Sequence, residues 1–89
     1  MSITIERKQE LIAKYGKAEG DTGATAVQIA ILTERIRNLT THLQAHSRDF
    51  ATRRGLLKLI GHRRRLQDYL RRNRPEDYAQ LIADLGLRR

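Results

Sequence analysis

Apolar residues recur along this chain at helical spacing, in four runs separated by glycine, proline or short polar stretches. The clearest run is Ile29, Leu32, Ile36, Leu39 and Leu43. Its alternating steps of three and four draw one stripe down a helix from about Thr25 to Ala45. Val27 and Ile31 widen that stripe enough to meet more than one neighbour. Thr25 and Gln28 fit a capping box, which ties off two free backbone donors at a helix start. Upstream, Thr4 suits an N-cap and Gly16 a stop, so a first helix is predicted over 4–15. Ile5, Ile12 and Tyr15 mark its apolar side, with Leu11 beside them. This is the weakest of the stripes, and the helix should dock more loosely. The polar stretch holding Gly20-Asp21-Thr22-Gly23 reads as a loop, because glycine permits backbone angles that other residues avoid.

A polar break at 46–49 precedes a third helix that carries Leu56, Leu59, Ile60, Leu66 and Leu70 and runs to about Asn73. Arg63 falls on the same line as Leu59 and Leu66. Its stem can lie along the core while its head reaches solvent or a ligand. Pro75 ends this helix and suits the first turn of a fourth, followed by Glu76 and Asp77 where negative charge is favoured. Tyr78, Leu81, Ile82 and Leu85 form the last stripe, and Gly86 terminates it. No strand pattern and no internal repeat is visible. The expected architecture is all-α, in one domain over 1–89: three helices packed antiparallel as a small bundle, with a more loosely docked N-terminal helix.

Composition narrows the function. Apolar residues make up 39% and aromatics 4%, so the core must be built from Leu, Ile, Val and Ala. There is no cysteine, which removes disulfides, thiolate metal sites and cysteine catalysis. No apolar run approaches the roughly 20 residues of a membrane span. Residues 1–14 mix acids with bases and lack the continuous apolar stretch of a signal peptide. A soluble intracellular protein without membrane partner or cofactor is expected.

Charge changes the picture further. The net charge is +8, and between Arg53 and Arg74 nine basic residues face one acid, Asp68, so that segment alone carries the excess. The nine are Arg53, Arg54, Lys58, Arg63, Arg64, Arg65, Arg71, Arg72 and Arg74. A solvated helix face normally interleaves acids one turn away. Eight of these nine are arginine, which forks two donors toward a phosphate and stacks on bases. The pattern points to nucleic acid ahead of a membrane surface or an acidic protein. Arg53, Arg54, Lys58, Arg64 and Arg71 are read as phosphate contacts. Tyr69, inside the segment, admits two readings: a stacking platform for a base or ribose, or a half-buried core tyrosine.

Other motifs carry less. Asp21-Thr22-Gly23 matches the aspartic-protease triplet, but that chemistry needs two carboxylates in a strand-rich cleft. As an interhelix turn, the same residues offer a hydroxyl and close backbone approach to a phosphate. His42 and His46 stand one helical turn apart, and a zinc site would need a third and fourth ligand. No nucleophile–base constellation is visible, and no enzyme is expected.

Taken in order, these segments resemble the S-fifteen family of small-subunit ribosomal proteins, in its bacterial form. The anchors are Gly20-Asp21-Thr22-Gly23, Val27-Gln28, Leu32-Thr33-Glu34-Arg35-Ile36 and Arg53-Arg54-Gly55-Leu56-Leu57-Lys58. They continue with Arg63-Arg64-Arg65-Leu66, Asp68-Tyr69-Leu70, Tyr78, Leu81-Ile82 and Leu85-Gly86-Leu87-Arg88-Arg89. The resemblance implies a four-helix fold that binds the central domain of small-subunit ribosomal RNA early in assembly of the platform. It implies contact with a three-way junction through Thr22, Gly23, Gln28, Arg35, Tyr69 and Arg72, with Arg65 nearby. It implies a second contact, in the shallow groove of an adjoining helix, through His42, Asp49 and Thr52. Neighbouring small-subunit proteins, a bridge to large-subunit ribosomal RNA and repression of its own messenger RNA are further implications.

The chain departs from the family at the second contact. Phe50 and Ala51 stand where two histidines are usual, and Thr52 replaces a serine. The wide minor groove of A-form RNA displays base edges and 2′-hydroxyls that small groups can reach. Asp49 faces a polyanion there, and makes sense only as an acceptor from a hydroxyl or amine in the groove. Two competing classes are a DNA-binding helix in the major groove and a coiled-coil module that uses the Ile29–Leu43 stripe. The free protein is expected to be a monomer.

Overall fold

The protein is described by a computed structural model over residues 3–16 and 21–87, with the backbone alone for residues 21–23. It consists there of α1 (Ile5–Tyr15), α2 (Asp21–Ala45), α3 (Phe50–Asn73) and α4 (Pro75–Leu85), with no strand among the described residues. Gly20, Arg88 and Arg89 of the family anchors lie outside the described residues.

Local chemistry accounts for most helix ends. Thr4 Oγ1 accepts from the Arg7 amide at 3.1 Å, the expected N-cap of α1. Asp49 does the same for α3, its Oδ1 accepting from the Thr52 amide at 3.1 Å. At the end of α4 the Gly86 amide donates to the Ala83 carbonyl and the Leu87 amide to the Ile82 carbonyl. With Gly86 at φ 70°, this is a Schellman motif, and Leu87 packs back on the core as that motif favours. The Arg37 guanidinium also donates to the Leu85 carbonyl, placing a cation at the negative end of α4.

One boundary differs from the sequence expectation. α2 begins at Asp21, so residues 21–23 are helix and not loop, and Thr25 and Gln28 lie inside the helix and not at its cap. A glycine lowers helix stability by about 1 kcal/mol relative to alanine without forbidding the helix. A long, well-packed helix absorbs that. Thr25 is buried one turn in, so packing extends the helix through the polar segment.

The core lies at one end of the molecule. Leu11, Ile29, Ala30, Leu70, Leu81 and Leu85 form it, one or more from each helix. α4 packs on α3 and α2, while α1 packs on α2 alone. α1 turns a different side inward than its apolar pattern suggests. Leu11 is buried, whereas Ile5 is 73% and Ile12 46% exposed. The line Arg7-Leu11-Tyr15, with one residue per turn, faces α2, where Arg7 Nε pairs with Glu34 Oε1 at 3.2 Å. A helix with a single neighbour buries a single row, and Ile5 and Ile12 fall outside it.

α2 and α3 continue beyond the core as a bare helical hairpin. The molecule measures 41 × 27 × 19 Å, and its long axis matches the roughly 37 Å of a helix the length of α2. Leu39, Leu43, Leu56 and Leu59 are only half-buried, because no third helix covers this part. Arg63 is half-buried, and its head turns into the hairpin toward Thr33 instead of standing free in solvent. Its Nη1 donates to Thr33 Oγ1 at 3.2 Å, its Nε is buried without a partner, and burial pushes its pKa down. Thr33 is itself buried and donates to the Ile29 carbonyl at 2.8 Å. No described helix is long and apolar enough to cross a membrane.

Candidate nucleic-acid interface

Helix geometry sorts the basic residues of α3 into two rows. Arg54, Lys58, Arg65 and Arg72 follow one another at steps of four, seven and seven, and form one row. Arg53, Arg64 and Arg71 form another, about 100° around the helix. All seven are exposed. The rows differ in what occupies them. Arg53 donates to the Ser47 carbonyl at 2.7 Å, and Arg71 pairs with Asp68 at 3.0 Å and lies 6.0 Å from the Tyr78 ring centre. In the first row, Arg54, Lys58 and Arg65 have no acidic partner among the described residues, and Arg72 donates only to the Asp68 carbonyl. The sequence reading of one basic stripe therefore resolves into a freer row and a more engaged one.

The freer row borders a groove between α2 and α3. Thr25 and Gln28 from α2 meet His62, Arg65, Leu66 and Tyr69 from α3, with Ala24 at the rim. Gln28 and His62 continue into a second stretch with Ile31, Arg35 and Leu59. Four of the residues expected at the junction, Gln28, Arg35, Arg65 and Tyr69, are thus brought together. Arg72 stands on the same row as Arg65, two turns beyond it. Tyr69 is half-buried and lines the groove, so it combines the two sequence readings: part of the ring packs, part is presented. The side chains of Thr22 and Gly23 lie outside the description, and their backbone places them in the first turn of α2. His62 is a groove residue that the sequence reading does not single out. Its position one turn before Leu66 and two before Tyr69 was the available clue.

A second cluster forms at the hairpin's tip. His42, at the end of α2, Asp49 and Thr52 converge there as expected. Asp49 Oδ2 accepts from the Thr52 hydroxyl at 2.6 Å and lies 2.9 Å from His42 Nε2. An ionised carboxylate can only accept, so His42 donates from Nε2, and in the neutral ring Nδ1 is then an acceptor. The Thr52 hydroxyl, then His42 and the Thr52 amide, hold the Asp49 pKa down from 3.8 to about 2. Asp49 is therefore engaged by the protein itself, as helix cap and as orienter of two side chains. The expectation that only a donor in RNA explains it is corrected. His46 stacks on His42, with ring centres 4.4 Å apart and planes 12° from parallel. Stacked rings do not converge on a metal, and no three potential ligands cluster among the described residues. Phe50 is 64% exposed beside this cluster, with the Arg53 guanidinium 5.9 Å from its ring centre.

Gln28, Arg35 and His42 are spaced by sevens, which places them on one line along α2, about 21 Å from end to end. The groove cluster and the tip cluster therefore share a face of one rigid hairpin.

Comparison with known proteins bears on this surface. Residues 8–88 match the family model described as "Ribosomal protein S15". The chain is 54% identical over 89 residues, the full length of both chains, to the "Small ribosomal subunit protein uS15" of Rhodopirellula baltica.

Proposed function

The chain belongs to the ribosomal protein S-fifteen family, and from that premise we propose that it grips a branched site in small-subunit ribosomal RNA. As a member, it is a structural constituent of the small ribosomal subunit and not an enzyme. Its partners are ribosomal RNA and ribosomal proteins, and its place is with the subunit in the cytoplasm.

The finer reading concerns how it binds. The groove residues Gln28, Arg35, Arg65, Tyr69 and Arg72, with Thr22 and Gly23 at the start of α2, meet a three-way junction in the central domain. Arg53, Arg54, Lys58, Arg64 and Arg71 hold phosphates and set register without reading sequence. His42, Asp49 and Thr52 enter the minor groove of an adjoining helix. The observation that carries this reading is the shared face: two chemically distinct clusters about 21 Å apart on one hairpin suit two elements of one folded RNA.

The tip has the polarity its target requires. Asp49 takes a hydrogen bond from both His42 and Thr52, leaving Thr52 Oγ1, and Nδ1 of a neutral His42 ring, to accept. The minor groove offers donors in the guanine amino group and the 2′-hydroxyl. By binding the arranged junction more tightly than the open one, the protein shifts the RNA toward the arranged form and nucleates platform assembly. Contact with large-subunit ribosomal RNA, repression of its own messenger RNA and a monomeric free state belong to the same reading.

The test is competition. Junction RNA should be retained against excess duplex DNA or junctionless duplex RNA. Equal displacement by either would refute junction binding and favour a general polyanion or DNA binder. Thr22→Val should weaken junction binding with little change in salt dependence, while Arg72→Ala should lower the slope by about 0.7–0.9.

A further inference from the structure

The protein explains some of its own glycines and not others. Gly86 sits at a left-handed φ, and a Cβ at Gly16 would lie 2.5 Å from the Ile12 carbonyl oxygen. Gly61 has no such reason. It lies in the middle of α3, where glycine is the worst residue after proline, and a Cβ there would meet nothing within 4 Å. Nothing within the fold requires it.

Its neighbours on the helix surface suggest what does. Residues three and four positions away along a helix adjoin one another. For Gly61 these are Leu57, Lys58, Arg64 and Arg65, with Arg54 one further turn back. Gly61 thus lies between the two basic rows, opposite the buried side of α3. Lys58, Arg64 and Arg65 are exposed and have no acidic partner among the described residues. Leu57, 64% exposed, adds an apolar wall. Gly55 shares the open surroundings, but of its surface neighbours Ala51, Thr52, Lys58 and Leu59 only Lys58 is charged.

We propose that Gly61 is the point of closest approach between α3 and bound RNA, with a ribose–phosphate backbone lying in the gap between the two basic rows. A missing side chain lets the helix backbone and the sugar come together. Lys58 and Arg65 then reach phosphates from one side and Arg64 from the other, while Leu57 covers the apolar face of the ribose. Gly61 reads no base. It sets how deep the RNA sits, and so how many arginine heads reach phosphate at once.

This inference rests on the RNA-binding reading above, and its test separates the two. Gly61→Ala and Gly61→Gln are compared with the parent and with Ala79→Gln, which adds the same bulk at an exposed position of α4. Gly61→Ala should raise Tm by roughly 4–8 °C, since alanine is the better helix former and has room. Affinity for central-domain RNA should fall, modestly for alanine and by roughly tenfold for glutamine, the scale at which added bulk disrupts a packed contact. The salt slope should fall by about 0.7–0.9 for each phosphate contact that the added bulk breaks, although no charge is removed from the protein. Stability and affinity would then move in opposite directions. Unchanged affinity in Gly61→Gln, or an equal loss in Ala79→Gln, would overturn the proposal while leaving RNA binding intact. Failure of the parent to bind would instead overturn the broader reading.

Discussion

The two ends of the α2–α3 hairpin are built on different physics. At the end joined by α1 and α4, Leu11, Ile29, Leu70, Leu81 and Leu85 are removed from water and hold four helices together. At the tip, two helices meet with half-buried leucines, and order comes from polar contacts: Asp49 caps α3, binds Thr52 and orients His42. The core end supplies stability, and the tip supplies a shaped set of acceptors. A change at one end should therefore be felt mainly in folding, and at the other mainly in recognition.

The largest expected effect tests that division. Leu70 is fully buried, so Leu70→Ala should cost about 2–5 kcal/mol of folding stability. Small domains have only about 5–15 kcal/mol in total. Leu43→Ala, near the tip, removes the same atoms from a half-buried site and should cost well under half as much. Urea denaturation of both variants decides the matter. Similar losses would mean that the tip is held by packing after all.

Next comes Tyr69, where core end and binding groove overlap. Stacking of a base on an aromatic ring is worth about 1–3 kcal/mol. Tyr69→Ala should weaken junction RNA binding on that scale, measured at a temperature where the variant is folded, and Tyr69→Phe should keep most of the affinity. Equal losses in both would assign the contribution to the hydroxyl and remove the stacking role.

What the sequence disclosed follows the same division. The stripes of α2 and α4, the caps at Thr4 and Gly86 and the break before α3 are local patterns, and they were legible. Placement of α1 was not. Its side chains offer two apolar rows, and only contact with α2 selects the row of Leu11 over that of Ile5 and Ile12. The early start of α2 was hidden because packing of Thr25 overrides the turn chemistry of the glycines. At the site, residue types were legible and their mutual engagement was not. Nothing in the spacing of His42, Asp49 and Thr52 says that the carboxylate is already satisfied. His62 entered the groove only once α2 and α3 were seen side by side.

A smaller effect concerns the charge on Asp49. Its pKa is lower in the folded protein than its ordinary 3.8, so the folded state favours the ionised form. The resulting stabilisation is complete above about pH 4 and is lost as pH falls through about 2. Asparagine can still cap a helix. Asp49→Asn should therefore leave α3 formed while flattening this part of the acid unfolding profile. If thermal melts of parent and variant between pH 5 and pH 2 run parallel, the charge on Asp49 has no energetic role in the fold.

The smallest effect is expected at a residue that looks among the most important in the sequence. Arg63 and Arg64 are adjacent arginines in the basic segment, yet Arg63 turns into the hairpin and Arg64 faces out. The Arg63 guanidinium has lost part of its water, keeps an unpartnered Nε, and feels the positive charge of Arg37. Its bond to Thr33 engages only one of the guanidinium's several N–H donors, so the lost hydration is offset only in part. Replacing a buried charge with an apolar residue of similar length is often neutral or stabilising. Arg63→Met should accordingly leave folding stability within about 1 kcal/mol of the parent or above it, and leave the salt slope of RNA binding unchanged. Arg64→Ala should leave stability equally intact but reduce that slope by about 0.7–0.9. Opposite assignments would show that the outward row had been identified wrongly, since a one-residue step along α3 is all that separates a cation held inside the protein from one offered to RNA.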